Sequence, residues 1–195
     1  MEIPRDRIDQ EKLISEILLS SVEIRRVLKA LNSLNLPQPY LGAGCIPQTI
    51  WNHLTSRIPA EGIKDFDIIY YDDSDLSEEK EKEIGSKLKE LLPGLNIDAK
   101  NKARVHLWYK SKFGEDIPQY QSSEDAIDTW PTTATAIGVR LKNDNLEIYA
   151  PFGLEDLLSM TLRANQTLIT KDVYQKKVER YSKEWPELYA MDWID

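Results

Sequence analysis

One stretch, residues 40–71, constrains this chain more than any other. It reads as a strand at 40–42, a glycine-bearing turn at 42–44, a helix over 46–57 and a second strand over 64–71 with aspartates at alternate positions. In a strand successive side chains take opposite faces and advance ~3.3 Å per residue. Asp65 and Asp67 therefore share one face, while Phe66 and Ile68 point the other way into a core. Two carboxylates that close repel one another unless a cation sits between them, and they offer hard oxygen ligands suited to Mg²⁺ or Mn²⁺. A pair of such ions about 3.5–4 Å apart can stabilise both the attacking and the leaving oxygen of an in-line phosphoryl displacement. The turn fits the same purpose. Gly42 and Gly44 let the backbone approach a ligand or take positive φ, and the following helix aims its free N–H groups and positive end at whatever lies above. Each half is ordinary alone, a plain turn or a solvated strand rim; the order of the two points to a metal site beside a phosphate.

Around that unit the chain divides into helical and extended segments. Leu13, Ile17, Ile24, Leu28 and Leu31 space one or two amphipathic helices over about residues 9–35, with a bend at Ser20 and Ser21. Pro37 and Pro39 set an extended entry into the strand at Tyr40. A charge-rich run at 78–83, backed by Ile84, Leu88 and Leu91, predicts a solvated helix lying over a sheet. Residues 95–99 then alternate as a short strand. If that strand neighbours the aspartate strand, Asp98 faces the same side as the pair; otherwise it is a solvent-facing strand residue. The run 100–106 is the concentrated basic stretch beside the proposed site. Arg104 can grip a phosphate bidentately, Lys100 supplies a point charge, and His106 is a hydrogen-bonding or acid/base group. With Asn101 and the turn residues Gly42, Ala43 and Gly44, these are the candidate nucleotide-binding positions; the plainer alternative for the run is a charged surface element with a core histidine. Ser122 to Asp125 reads as a serine-capped helix start. Residues 132–141 and 146–150 read as strands joined through Asn143 and Asp144. A helix is expected over 154–165, with Leu157, Leu158, Thr161 and Leu162 inward, and a last one over about 170–185 as a lid or packing element.

Composition limits the function classes. The 195 residues, 41% hydrophobic and 30% charged, suffice for a single domain over 1–195 with its own core. The net charge of −8 argues against general nucleic-acid binding, which needs a field of Lys and Arg. The single Cys45, with only His53 and His106 to assist, excludes an intramolecular disulfide and disfavours a structural zinc site. No apolar run approaches the ~20 residues that cross a bilayer, and the amino terminus lacks a signal-peptide apolar core. The expectation is a cytoplasmic protein without membrane attachment.

The strand, glycine turn, helix and Asp-x-Asp strand resemble the nucleotidyltransferase superfamily of the DNA polymerase β type. More narrowly, GAGCIPQTIWNHL, KDFDIIYYD, AKNKARVHLWY, SSEDAIDTWPTTATAIGVRL and YAPFGLEDLL resemble, in that order over about residues 40–185, a bacterial family of small nucleotidyltransferase-like proteins. The resemblance implies an α+β polymerase β-like fold with a small mixed sheet of about five strands flanked by helices. It implies transfer of a nucleoside monophosphate from a nucleoside triphosphate to an unidentified acceptor, with Asp65 and Asp67 on two Mg²⁺ (or Mn²⁺) ions and Asp98 as third carboxylate. One departure stands out. The superfamily turn usually ends in Gly-Ser, and Gly42-Ala43-Gly44-Cys45 has no such hydroxyl. That leaves two rivals, a nucleotide-binding or regulatory module without activity and a protein-interaction subunit of the same fold.

Overall fold

The structure, a computed structural model, describes residues 3–194. Two helices open it, α1 (Arg7–Ser20) and α2 (Val22–Ser33). The expected bend falls at Ser21, whose backbone is extended and whose hydroxyl accepts the Ile24 N–H, so one residue ends α1 and caps α2. The next elements are β1 (Tyr40–Gly42), α3 (Cys45–Leu54), β2 (Phe66–Tyr70), α4 (Glu78–Leu91) and β3 (Ile97–Asn101). A 3-10 turn (Lys102–Arg104) leads into α5 (Val105–Phe113), then α6 (Ser123–Ile127) and a second 3-10 turn (Thr133–Thr135). Last come β4 (Gly138–Lys142), β5 (Asn145–Tyr149), α7 (Glu155–Leu158), β6 (Thr161–Leu162), α8 (Lys171–Glu184) and β7 (Tyr189–Ala190).

The main sheet is mixed, in the order β3-β2-β1-β4-β5. Only β2 and β3 run parallel, as the crossover through α4 requires. Asn143 and Asp144 both hold positive φ, the two-residue turn geometry that matches strand twist and closes the β4–β5 hairpin. One row crosses the sheet from Asp98 through Asp67 and Gly42 to Gly138. Side chains alternate along each strand, so Leu41, Ile68, Ala99 and Val139 project to the opposite face and join the main core with α2 and α4.

Several predicted segments differ. The helix read over 46–57 ends at Leu54, and the strand read over 64–71 pairs as Phe66–Tyr70, which leaves Asp65 just ahead of it. The strand expected over 132–141 begins only at Gly138, because residues 133–135 coil as a 3-10 turn. The strand read over 95–99 pairs as Ile97–Asn101. The helix expected over 154–165 stops after one turn at Leu158; Met160 takes φ +55, which a helix cannot contain, and Thr161–Leu162 pairs in parallel with Tyr189–Ala190.

Candidate active site

The β1–α3–β2 unit brings the turn and the aspartates together. Gly42 lies opposite Asp67 across β1 and β2, and Asp67 lies opposite Asp98 across β2 and β3. Asp65, just ahead of β2, lines the same cavity of about 300 Å³ as Asp67, Ala43 and Gly44. Burial and then the negative charge of Asp65 push the Asp67 carboxyl up from 3.8 to about 6; Asp98 pushes the same way, while Lys102 and Lys177 oppose. Cys45 is wholly buried at the head of α3, its thiol directed at the Gly42 carbonyl, and burial with the nearby Asp67 charge holds that thiol protonated.

The turn works differently from the expectation. Gly42 is in a strand and Gly44 is helical at φ −57; the residue at positive φ is Ala43, at +54. Both glycines serve close approach instead. A Cβ on Gly42 would stand 2.5 Å from the Trp130 ring, and one on Gly44 would stand 2.7 Å from the Gln48 amide nitrogen.

A second cavity, of about 150 Å³, meets the first at Ala43, Asp67 and Lys177 and has otherwise separate walls, among them Asp98, Lys100, Lys102 and Trp130. In the larger cavity the cations are Lys64, Lys177 and Arg180. There too the buried Gln48 Oε1 and Tyr181 hydroxyl have no hydrogen-bond partner, an arrangement that burial normally penalises and a polar ligand would relieve. Lys102 is half-buried with its ammonium desolvated, which lowers its pKa, while Asp67 and Asp98 draw it back up.

The sequence-predicted residues fare unevenly. Gly42, Ala43, Gly44, Asp65 and Asp67 form one constellation. Asp98 lies beside it, half-exposed, with Lys100 Nζ 3.2 Å from Oδ1. Among the described residues no group of three His, Cys, Asp or Glu side chains stands close enough to hold a metal ion. Three positions of the basic run stand away from the cavities, two of them engaged elsewhere. Asn101 is buried, accepting from the Asp72 and Ala103 N–H groups and donating to the Asp72 carbonyl. Arg104 pairs with Glu81 at 2.9 Å and donates through Nε to the Leu76 carbonyl, and it lines neither cavity. His106 lines neither cavity, and its Nδ1 is buried without a partner. Lys100 does line the smaller cavity, as the sequence reading expects, while Lys102, Lys177 and Arg180 line the two cavities without having been singled out by it. On α8 a signal existed: Lys177, Arg180, Tyr181 and Glu184 fall at helical spacing and share one face.

The mixed α+β architecture around this site is a nucleotidyltransferase fold. Residues 29–190 match the family described as Nucleotidyltransferase, and the chain belongs to that family. It resembles an NMR structure described as revealing a CCA-adding enzyme head domain, with a TM-score of 0.77 and 28% identity over 93% of this chain and 96% of the other. It also resembles the Thermotoga maritima CCA-adding enzyme solved in complex with tRNA, with a TM-score of 0.55 and 19% identity; there it spans 44% of that enzyme's chain, and the likeness concerns the fold alone. A search of curated proteins found no match. Among the described residues no helix is long and apolar enough to cross a membrane.

Proposed function

We propose that this chain transfers a nucleoside monophosphate from a nucleoside triphosphate to an acceptor, with Asp65 and Asp67 as the metal-holding pair. The observation that carries the reading is the position of Asp67, on the wall shared by two cavities, opposite Gly42 and Asp98 and beside the turn. The donor set fits divalent cations: Asp67 is pushed up by burial and by its acidic neighbours, a penalty that a bound cation removes. Two Mg²⁺ or Mn²⁺ ions held by Asp65 and Asp67, with Asp98 opposite Asp67 on the next strand, would supply charge stabilisation at the attacking and leaving oxygens.

The chain's own groups do the rest. Backbone N–H groups at the start of α3 and the turn face the phosphates, in place of the missing hydroxyl. Lys177 and Arg180 balance the triphosphate charge from α8, with Lys64 on the same wall. Lys102 stands where charge develops on the acceptor side.

Two measurements test this. ATP, GTP, CTP or UTP with Mg²⁺ is expected to raise the Tm, and one of them to release pyrophosphate when acceptors are added; Asp67→Asn should lose both responses. A metal-dependent Tm shift that survives in Asp67→Asn would overturn the assignment. The ion pair between Asp98 and Lys100 favours a second reading, a nucleotide-binding module without transfer. Nucleotide binding with no pyrophosphate release across the acceptor panel would select it.

A further inference from the structure

We propose that the chamber between α5 and α8 is the acceptor subsite and that it takes a small hydroxyl-bearing molecule with a planar ring; this rests on the transfer reading above. The chamber has a volume of about 310 Å³ and walls that include Trp108, Tyr109, Phe113, Tyr120 and Val173. It shares Lys102, Trp130 and Pro131 with the 150 Å³ cavity that contains Asp67, so the chamber adjoins the chemistry across those three side chains.

Three observations fix the occupant. First, α5 buries only Val105, although it also carries Trp108, Tyr109 and Phe113; Phe113 is 53% exposed. A short helix that leaves three aromatic side chains facing a cavity offers stacking surface, which every planar ring can use. Second, a dry cavity of ~150 Å³ suffices for benzene, so this chamber holds one ring system with substituents and not a folded polynucleotide. Third, the direction of the reaction selects acceptor over donor. In-line displacement brings the nucleophile in opposite the leaving group. The cations Lys64 and Arg180 and residue Gly44 line the other cavity, which is therefore where pyrophosphate leaves. The acceptor then arrives from the side of Lys102 and Trp130. In the step, the acceptor hydroxyl oxygen bonds to the α-phosphorus and the bond from that phosphorus to the bridging oxygen breaks. Pyrophosphate takes the electron pair, and the hydroxyl proton goes to bulk water.

Tryptophan fluorescence tests this without metal or triphosphate, using adenosine, guanosine, cytidine, uridine and 2-naphthol as probes. At least one is expected to quench with a saturable curve, and Phe113→Ala should weaken that binding at least tenfold. Val173→Phe, at a chamber-lining position that is 41% exposed, should fill the chamber and abolish it without adding a tryptophan to the readout. In Asp67→Asn the quench should persist, which separates failure of this subsite from failure of the catalytic reading. The proposal is overturned if no probe quenches, if quenching is unchanged in both chamber variants, or if ATP with Mg²⁺ displaces the ring competitively, which would make the chamber a nucleobase site. Transfer to a short RNA 3′ end with no ring compound accepted would overturn it as well.

Discussion

The acidic side of the site comes from a strand–turn–helix–strand unit, where Gly42 and Asp67 meet through one sheet register, whereas cations facing it come from α8 near the far end of the chain. The acidic side is fixed by backbone pairing, so its geometry follows directly from strand alternation. The cationic side depends on how α8 packs, with Tyr181 and Trp185 clustered around Trp51 and the Trp185 indole donating to Asn52 of α3. One half of the site is local and rigid; the other is tertiary and depends on an aromatic clamp.

The largest expected effect lies on the acidic side. Asp67→Asn should lower transfer by 10²–10³-fold or more, on the scale of losing a preorganised electrostatic group. It should do the opposite to the stability of the metal-free protein. Because the Asp67 carboxyl is raised from 3.8 to about 6, the folded state binds that proton more tightly than the unfolded state does. Its contribution is therefore most favourable below about pH 4, is lost as pH rises from about 4 to about 6, and stays unfavourable above. Metal-free Asp67→Asn is expected to melt higher than the parent at pH 7.5, with the gap closing towards pH 4. Thermal denaturation across that range in EDTA reads it, and a gap that widens on acidification would break the assigned cause.

Next in size is a position that separates the two kinds of cation. Arg104 and Glu81 have side chains only 10% and 11% exposed, so Arg104→Ala leaves a buried carboxylate with the Asn101 N–H but no counter-charge and should destabilise the fold by about 3 kcal/mol. Its KM for the nucleotide should not change. Lys177→Ala and Arg180→Ala should behave in reverse, with little change in Tm and a KM raised about 10- to 100-fold, the worth of a charge-assisted hydrogen bond. Lys183→Ala, exposed on the same helix and outside the cavity, is the control. Equal KM effects for Lys177 and Lys183 would reduce the cationic wall to a diffuse field.

Much of this was legible in the sequence and some was not, for reasons of range. The aspartate pair, the Ser21 bend and the Asn143-Asp144 hairpin follow from alternation, capping and turn chemistry within a few residues, whereas the mixed sheet came from the family resemblance. Arg104 looked like a phosphate ligand because spacing places it near the site; nothing local shows that Asn101 caps a 3-10 turn that swings Arg104 towards Glu81 on α4. Lys102, inside that same turn, is turned the other way, into the cavity it shares with Asp67 and Asp98. The helix expected over 154–165 failed at Met160, where pairing of β6 with β7 overrides a good apolar spacing.

The smallest effects sharpen the picture of the turn itself. Gly42→Ala pushes a methyl to within 2.5 Å of the Trp130 ring and 3.1 Å of the Ile137 carbonyl, so overpacking should cost about 1–3 kcal/mol. Gly44→Ala meets the Gln48 amide at 2.7 Å, the end of a flexible side chain, and the Tyr181 hydroxyl at an ordinary 3.4 Å, and should cost less. Ala43→Gly should do the reverse. An L residue at φ +54 carries about 1–2 kcal/mol of strain, and glycine gives back about 0.5–1 kcal/mol of that through the greater freedom of its unfolded chain. The net is a stabilisation between about zero and about 1.5 kcal/mol, read as a small rise in the urea midpoint. If backbone N–H groups alone hold the phosphates here, the KM of that variant stays at the parent value. A higher KM in a more stable protein would mean that Ala43, a residue of both cavity walls, touches the nucleotide through its methyl.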